Sequence, residues 1–67
     1  MKSLKEKLID EKKDLDGKLS RLNTFLENKE LSSEVDETHK ELLVEQSKVM
    51  TEYSHILRKR IFLLERE

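Results

Sequence analysis

Apolar residues recur in adjacent pairs, seven positions apart, through the second half of this sequence. The pairs are Leu42-Leu43, Val49-Met50, Ile56-Leu57 and Leu63-Leu64. A seven-residue apolar repeat is typical of a helix that is covered by other helices. It predicts one long helix from about residue 33 to about residue 66.

The first half of the sequence carries a second apolar stripe, with spacings of three, four and seven residues that are typical of a helix. Its members are Leu4, Leu8, Leu15, Leu19, Leu22, Phe25 and Leu26. Ser3 and Glu6 have the spacing of a capping box, so we expect this helix to span residues 3 to 29, approximately. Gly17 interrupts the stripe, and it marks either a kink or the join between a short leading helix and the main one.

The segment from Asn28 to Ser33 separates the two stripes and contains several residues that favour helix ends. Ser32 and Ser33 are both good N-caps, and either one is expected to start the second helix. Two amphipathic helices joined by a short connection form an antiparallel hairpin. The sequence therefore predicts an all-α fold, with residues 1–67 forming a single helical-hairpin domain.

Composition indicates that this hairpin is only marginally stable as a monomer. The chain has 67 residues, no cysteine, 34% hydrophobic residues and 43% charged residues. A domain of this size has a marginal core, and no disulfide is available to compensate. We therefore expect a homo-oligomer. The net charge of -1 argues against binding to DNA or RNA polymers, and no apolar run is long enough to span a membrane.

A polar row accompanies the apolar pairs at the same seven-residue period. It consists of His39, Gln46, Tyr53 and Arg60. A helix that needed only a core would carry leucine or isoleucine at these positions. The row is either a polar ladder that fixes the helix register or a set of ligand-binding groups. Arg60 in particular requires an anionic partner if it is covered, because burying an unpaired charge is costly.

Two further groups of cations are candidates for phosphate binding. Arg58-Lys59-Arg60 immediately precedes the apolar run 61–64, and it is either a phosphate site or a solvated segment paired with Glu65 or Glu67. Lys18 lies within the leucine stripe of the first helix. Its ammonium group either extends to water or contacts a phosphate.

Catalysis and metal binding are not expected. His39 and His55 are sixteen residues apart with no evident third ligand, so we predict neither a metal site nor another cofactor. Ser47, His55 and Glu52 are the components of a Ser-His-acid set, but a helical hairpin has no loop to stabilise an oxyanion. We therefore expect a protein that is not an enzyme.

The polar and apolar positions together resemble a known family. The pattern Leu42-Leu43-x-x-Gln46-x-x-x-Met50-x-x-Tyr53-x-x-x-Leu57-x-x-Arg60-Ile61 follows a helix-one pattern that extends from Leu15 through Lys18 to Leu26. This combination resembles the small phage proteins that counter CBASS immunity by sequestering its cyclic-oligonucleotide messengers.

The resemblance implies a hexamer of helical hairpins, in the cytoplasm of an infected bacterial host, that binds messenger without cleaving it and so blocks effector activation. It implies that Lys18 contacts cyclic-dinucleotide phosphates. It also implies a cyclic-trinucleotide site at Arg60, with Arg58 as the neighbouring candidate. The family has an aromatic residue near its N-terminus that stacks on a base. This chain has none before Phe25, so that contact is either missing or made instead by Leu4 or Leu8.

Two other interpretations remain open from the sequence. One is a structural or adaptor hairpin without a nucleotide ligand, in which the polar row only sets register. The other is a helical nucleic-acid-binding module, in which Lys12-Lys13 and Arg58-Lys59-Arg60 contact phosphates.

Overall fold

Two long helices, packed side by side in opposite directions, form the body of the molecule. The computed structural model describes residues 1–66, which contain α1 (Leu4–Glu27), α2 (Lys29–Ser32) and α3 (Glu37–Glu65) in chain order. The hairpin is elongated, with dimensions of 47 × 18 × 15 Å. The predicted all-α hairpin is thereby confirmed.

The first helix starts where its capping residues predict. The Ser3 side chain accepts a hydrogen bond from the Glu6 backbone N–H at 3.2 Å. From there α1 continues through Gly17 to Glu27 as one helix, which excludes the alternative that Gly17 joins a short leading helix to the main one. The cost of one glycine, about 1 kcal/mol, is too small to break a helix whose leucines on both sides of Gly17 face α3.

The connection contains one extra turn of helix. The Asn28 side chain accepts hydrogen bonds from the N–H groups of Glu30 and Leu31, and it thereby starts α2. Ser32 is then the last residue of α2 and Ser33 is its C-cap. The expectation that one of these serines starts the second long helix is therefore wrong.

The N-cap of α3 is Asp36, whose carboxylate accepts a hydrogen bond from the Thr38 N–H at 2.8 Å. The helix consequently begins at Glu37, four residues later than its apolar pattern predicts. A carboxylate suits this position because it complements the positive end of the helix dipole as well as satisfying an unpaired N–H.

The apolar pairs of α3 divide between the core and the surface. The second members, Leu43, Met50, Leu57 and Leu64, are buried or half-buried. Leu57 has no exposed surface, and Leu8 of α1 is only 4% exposed. The first members, Leu42, Val49, Ile56 and Leu63, remain 53–59% exposed. A single packing helix, α1, can cover only one side of α3, so the second members of the pairs are covered and the first members remain exposed.

Polar contacts between the helices fix their alignment. Ser54 donates a hydrogen bond to Asp16 at 2.5 Å, and Ser47 donates one to Asn23 at 2.6 Å. The two α1 residues are seven positions apart, as are their two α3 partners in the reverse direction. This spacing defines an antiparallel register that repeats with each heptad.

Candidate functional site

A polar groove runs along one side of the hairpin, between α1 and α3. On the α3 side it contains the polar row that the sequence shows at seven-residue spacing, and on the α1 side it contains a second row with the same spacing. The eight residues are His39, Gln46, Tyr53 and Arg60 from α3, and Leu4, Glu11, Lys18 and Phe25 from α1.

One hydrogen bond and one shared cavity indicate that these rows face each other. The Tyr53 hydroxyl donates a hydrogen bond to the Glu11 carboxylate. About two helical turns further along, Arg60 and Leu4 line a common surface cavity of about 180 Å³ together with Leu8, Leu63 and Leu64. Because both rows have a seven-residue period, the same register places Lys18 level with Gln46 and Phe25 level with His39.

The polar groove is open in the single chain. Seven of its eight residues are exposed, Tyr53 at 40%, and Phe25 is half-buried. The polar row is therefore not covered by α1, and any cover must come from another molecule. Sequence reasoning named Lys18 and Leu4 separately but did not recognise that they belong to one α1 row, although the seven-residue spacing from Leu4 to Phe25 was a signal that could have identified it.

Lys18 and Arg60 lie on the same side of the hairpin but at different heights. Lys18 is level with Gln46, which is fourteen residues from Arg60, so the two cations are separated by roughly 21 Å along the helix axis. Lys18 lines a shallow surface cavity with Lys13, Asp14, Gly17 and Arg21. Within one chain these two cations cannot contact the same small anion.

Leu4 and Leu8 lie beside Arg60 rather than beside Lys18. Leu8 is buried and Leu4 is 55% exposed, and both line the Arg60 cavity. Lys18 is ten residues beyond Leu8, which corresponds to roughly 15 Å along α1. The structure of one chain therefore brings Leu4 and Leu8 together with Arg60, and it does not bring Lys18 to them.

Arg58 lies on a different face from Arg60. Two residues along an α-helix correspond to a rotation of about 200° around its axis. Arg58 accordingly lines a groove of about 680 Å³ with His55, Lys59, Phe62 and Leu63, and a smaller cavity that includes Lys12. These cavities do not include Arg60.

Within the described part of the chain, residues 1–66, the cations of the polar groove have no acidic partner. Among residues 1–66, neither Lys18 nor Arg60 forms an ion pair within 4 Å. Glu65, one of the two acids considered as partners for the basic segment, pairs instead with Lys5 at 3.6 Å. The other, Glu67, lies outside the described residues. Both groove cations are thus available to an external anion.

A separate polar cluster holds the two helices together on the opposite side. Lys12 donates a hydrogen bond to Asp16 at 2.6 Å, and Ser54, which is 6% exposed, donates another. The hydrogen bond from Lys12, followed by the one from Ser54, lowers the pKa of the Asp16 carboxyl below its ordinary value. This carboxylate is satisfied within the chain, and its role is structural.

The components of the Ser-His-acid set are not assembled. The Ser47 hydroxyl donates to Asn23, which directs it toward α1. Within residues 1–66, no three acidic or histidine side chains are grouped in a way that could hold a metal ion. The same residues include no helix that is long and apolar enough to cross a membrane.

The fold and the open groove define a small helical-hairpin protein whose cations along one side have no acidic partner among residues 1–66. A family model described as Sequestin matches residues 2–63, and the chain belongs to this family. The match confirms the resemblance to a sequestering family. The family name denotes the binding of a ligand rather than its conversion. No curated protein and no solved structure matches the chain.

Proposed function

We propose that this protein binds cyclic oligonucleotide second messengers and sequesters them without cleavage, in the cytoplasm of a phage-infected bacterium. By lowering the free messenger concentration it would prevent activation of CBASS effectors. The observation that carries this proposal is the polar groove of a Sequestin-family chain, in which Lys18 and Arg60 are exposed and have no acidic partner among residues 1–66.

The groove residues suit a ligand that carries both phosphates and bases. A guanidinium group forms paired hydrogen bonds with phosphate oxygens, and an ammonium group supplies a compact positive charge. Tyr53 lies one heptad from Arg60 and leaves 40% of its surface exposed, so that its ring can contact a base. The apolar side chains of Leu4 and Leu8 adjoin the same end of the groove.

The resemblance assigns different ligands to the two cations, and we retain that division as a proposal. Lys18 contacts a cyclic dinucleotide, and Arg60 contacts a cyclic trinucleotide. We prefer Arg60 to Arg58 because Arg58 lies on the opposite face, outside the groove. Leu4 and Leu8 can serve the dinucleotide site only if a second chain brings them to Lys18.

Self-association is part of the proposed mechanism. The exposed apolar residues of α3 are those that a second helix would cover, and the resemblance implies a hexamer. When the chains are already assembled, binding a ligand between them loses less entropy than when the ligand must bring separate chains together. We therefore expect the ligand to be bound in shared sites, with fewer than one molecule per chain.

Variants of three basic residues test the site. Arg60→Ala should weaken cyclic-trinucleotide binding, and Lys18→Ala should weaken cyclic-dinucleotide binding, each by about 10- to 100-fold, because each removes a charge-assisted hydrogen bond. Arg58→Ala is the matched control, since it removes an equal charge from the other face and should leave both affinities unchanged. Calorimetric titration gives the affinities, and light scattering verifies that each variant keeps its assembly state.

The alternative interpretations predict different results in the same titrations. A structural or adaptor hairpin would bind neither ligand in any variant. A nucleic-acid-binding module would instead bind DNA or RNA polymers, with an affinity that falls steeply as salt is raised. If Arg58→Ala weakens binding while Arg60→Ala does not, the groove is not the site.

A further inference from the structure

The polar groove contains one side chain whose presence phosphate binding does not explain. Glu11 is the only acidic member of the eight groove residues, and it is exposed. Its carboxylate accepts a hydrogen bond from the Tyr53 hydroxyl. Among residues 1–66 it forms no ion pair within 4 Å. A carboxylate repels a phosphate group, so the part of a ligand that contacts Glu11 is not a phosphate.

Glu11 lies within reach of a ligand that is held at Lys18. The two residues belong to the same row of α1 and are seven positions apart, which corresponds to roughly 10 Å along the helix axis. A nucleotide that places its phosphate at Lys18 and extends along the groove brings its base toward Glu11. Contacts with phosphates position a nucleotide, whereas contacts with base edges distinguish one base from another.

The Glu11 carboxylate retains free hydrogen-bonding capacity. Two carboxylate oxygens offer about four acceptor positions and no donor. The Tyr53 hydroxyl occupies one position, on Oε2, and it ties the side chain to the opposite helix. Both oxygens can therefore still accept hydrogen bonds from a ligand. The polar side chains of α3 that share the groove can all donate, so Glu11 is the groove residue that can only accept.

We propose that Glu11 selects guanine in the cyclic dinucleotide bound at Lys18, and that Tyr53 positions the carboxylate for this contact. The inference rests on the proposed function and names the base that the ligand carries. The Watson–Crick edge of guanine has two adjacent donors, N1–H and the 2-amino group, which match the two oxygens of a carboxylate. Adenine has one donor there, beside an unprotonated N1 that would face a carboxylate oxygen. Cytosine and uracil also lack two adjacent donors.

An interhelical contact alone would not require a carboxylate at this position. The two helices are already aligned by the hydrogen bonds of Ser54 and Ser47 with α1. A glutamine at position 11 would accept the Tyr53 hydrogen bond equally well through its carbonyl oxygen. The two side chains differ at the second group, which accepts in glutamate and donates in glutamine. Glu11→Gln therefore separates selection of the base from the contact with Tyr53.

Calorimetric titration with three cyclic dinucleotides tests the selection. Their bases are guanine, adenine and hypoxanthine, which keeps the N1–H of guanine but lacks its 2-amino group. The parent should bind the guanine form about 10- to 100-fold more tightly than the adenine form, with the hypoxanthine form between them. Glu11→Gln should abolish this preference, because its amide N–H2 opposes the donors of guanine but can donate to N1 of adenine.

Controls separate selection of the base from affinity for the phosphates. Glu27→Gln makes the same change at an exposed position of α1, rotated by roughly 160° from Glu11, and should keep the parental preference. Lys18→Ala should weaken all three forms by a similar factor, because its contact does not depend on the base. Light scattering and circular dichroism verify that each variant keeps its assembly state and its helices.

The positioning role of Tyr53 has its own variant. Tyr53→Phe keeps the ring and removes the hydroxyl, so the Glu11 side chain is no longer tied to α3. The ratio of guanine to adenine affinity should fall by about 2- to 10-fold, the value of one hydrogen bond. An unchanged ratio would show that Tyr53 does not position Glu11.

The outcomes separate this inference from the proposed function. Equal binding of the three forms by the parent would overturn the selection of guanine and leave sequestration standing. The parental preference in Glu11→Gln would likewise show that another residue selects the base. Absence of binding to every cyclic dinucleotide would overturn the proposed dinucleotide site, and the selection of guanine with it.

Discussion

Leu57 has no exposed surface, whereas its neighbour Ile56 is 53% exposed. Their environments differ because Leu57 packs against α1 and Ile56 points away from it. Adjacent positions of similar size and hydrophobicity therefore contribute to different processes: Leu57 stabilises the fold of one chain, and Ile56 belongs to the surface that we propose as an interface.

This contrast predicts different responses to truncation. Leu57→Ala should lower the free energy of unfolding by about 2–5 kcal/mol, because it creates a cavity in the core. Ile56→Ala should lower the melting temperature only at concentrations where the chains associate. Thermal unfolding over a range of protein concentrations separates the two effects. An Ile56→Ala defect that persists at the highest dilution would contradict a role in association.

A single carboxylate also makes part of the stability depend on pH. The pKa of Asp16 is lowered by hydrogen bonds from Lys12 and Ser54, so its folded pKa lies below its unfolded value of about 4. Its contribution is present above the unfolded pKa and is lost as pH falls through the folded pKa. Asp16→Asn should therefore be less stable than the parent at neutral pH, and this difference should shrink below about pH 4.

Thermal melts between about pH 7 and pH 2.5 measure this dependence. Asp14→Asn, an exposed position two residues away, removes the same charge and serves as the control. A stability difference between parent and Asp16→Asn that is constant over this range would show that the carboxylate is not specifically stabilised in the folded state.

At the scale of helices, α1 contains one position that is not optimal for stability. Gly17 lies within the helix, and a Cβ atom added there would lie 3.6 Å from Nη1 of Arg21, which is an ordinary contact distance. Gly17→Ala should therefore raise the free energy of unfolding by about 0.5–1 kcal/mol, because it restricts the unfolded chain and favours helix. Urea unfolding measures the change; a destabilised variant would indicate that another chain approaches Gly17 closely.

The extent of the two long helices was largely predictable from their apolar stripes, whereas the connection was not. Asn28, Ser32, Ser33 and Asp36 are all residues that favour caps, and they occur within nine positions. Their local hydrogen bonds decide among them: Asn28 and Asp36 each accept from N–H groups at the start of a helix, while Ser33 donates to the Glu30 carbonyl. The preference of each residue type for capping positions is therefore not enough to predict which of these four residues caps which helix end.

As a continuous row of residues, the candidate site was predictable only on α3, whereas Lys18 and Leu4 of α1 were named separately. The repeated polar residues of α3 identified Arg60 and its row, because polar residues at seven-residue intervals contrast with the apolar pairs beside them. The opposing row from Leu4 to Phe25 contains apolar, acidic and basic residues, so it has no such common character. Its role depends on the register between α1 and α3, which the sequence of either helix alone does not specify.

At the scale of the whole molecule, a single chain leaves an apolar surface exposed and its polar groove open to solvent. The polar groove presents Lys18 and Arg60 to solvent, and four apolar residues of α3 remain more than half exposed: Leu42, Val49, Ile56 and Leu63. The self-association that we propose as part of sequestration would cover these apolar residues.

Calorimetric titration of the parent protein with a cyclic dinucleotide and, separately, with a cyclic trinucleotide tests sequestration most directly. Light scattering fixes the assembly state beforehand, and chromatography of the released ligand afterwards shows whether it is intact. We predict tight binding of fewer than one ligand per chain, with the ligand recovered unchanged. Absence of binding to both ligands by a helical, assembled protein would contradict the proposed function, and recovery of cleaved ligand would contradict sequestration without catalysis.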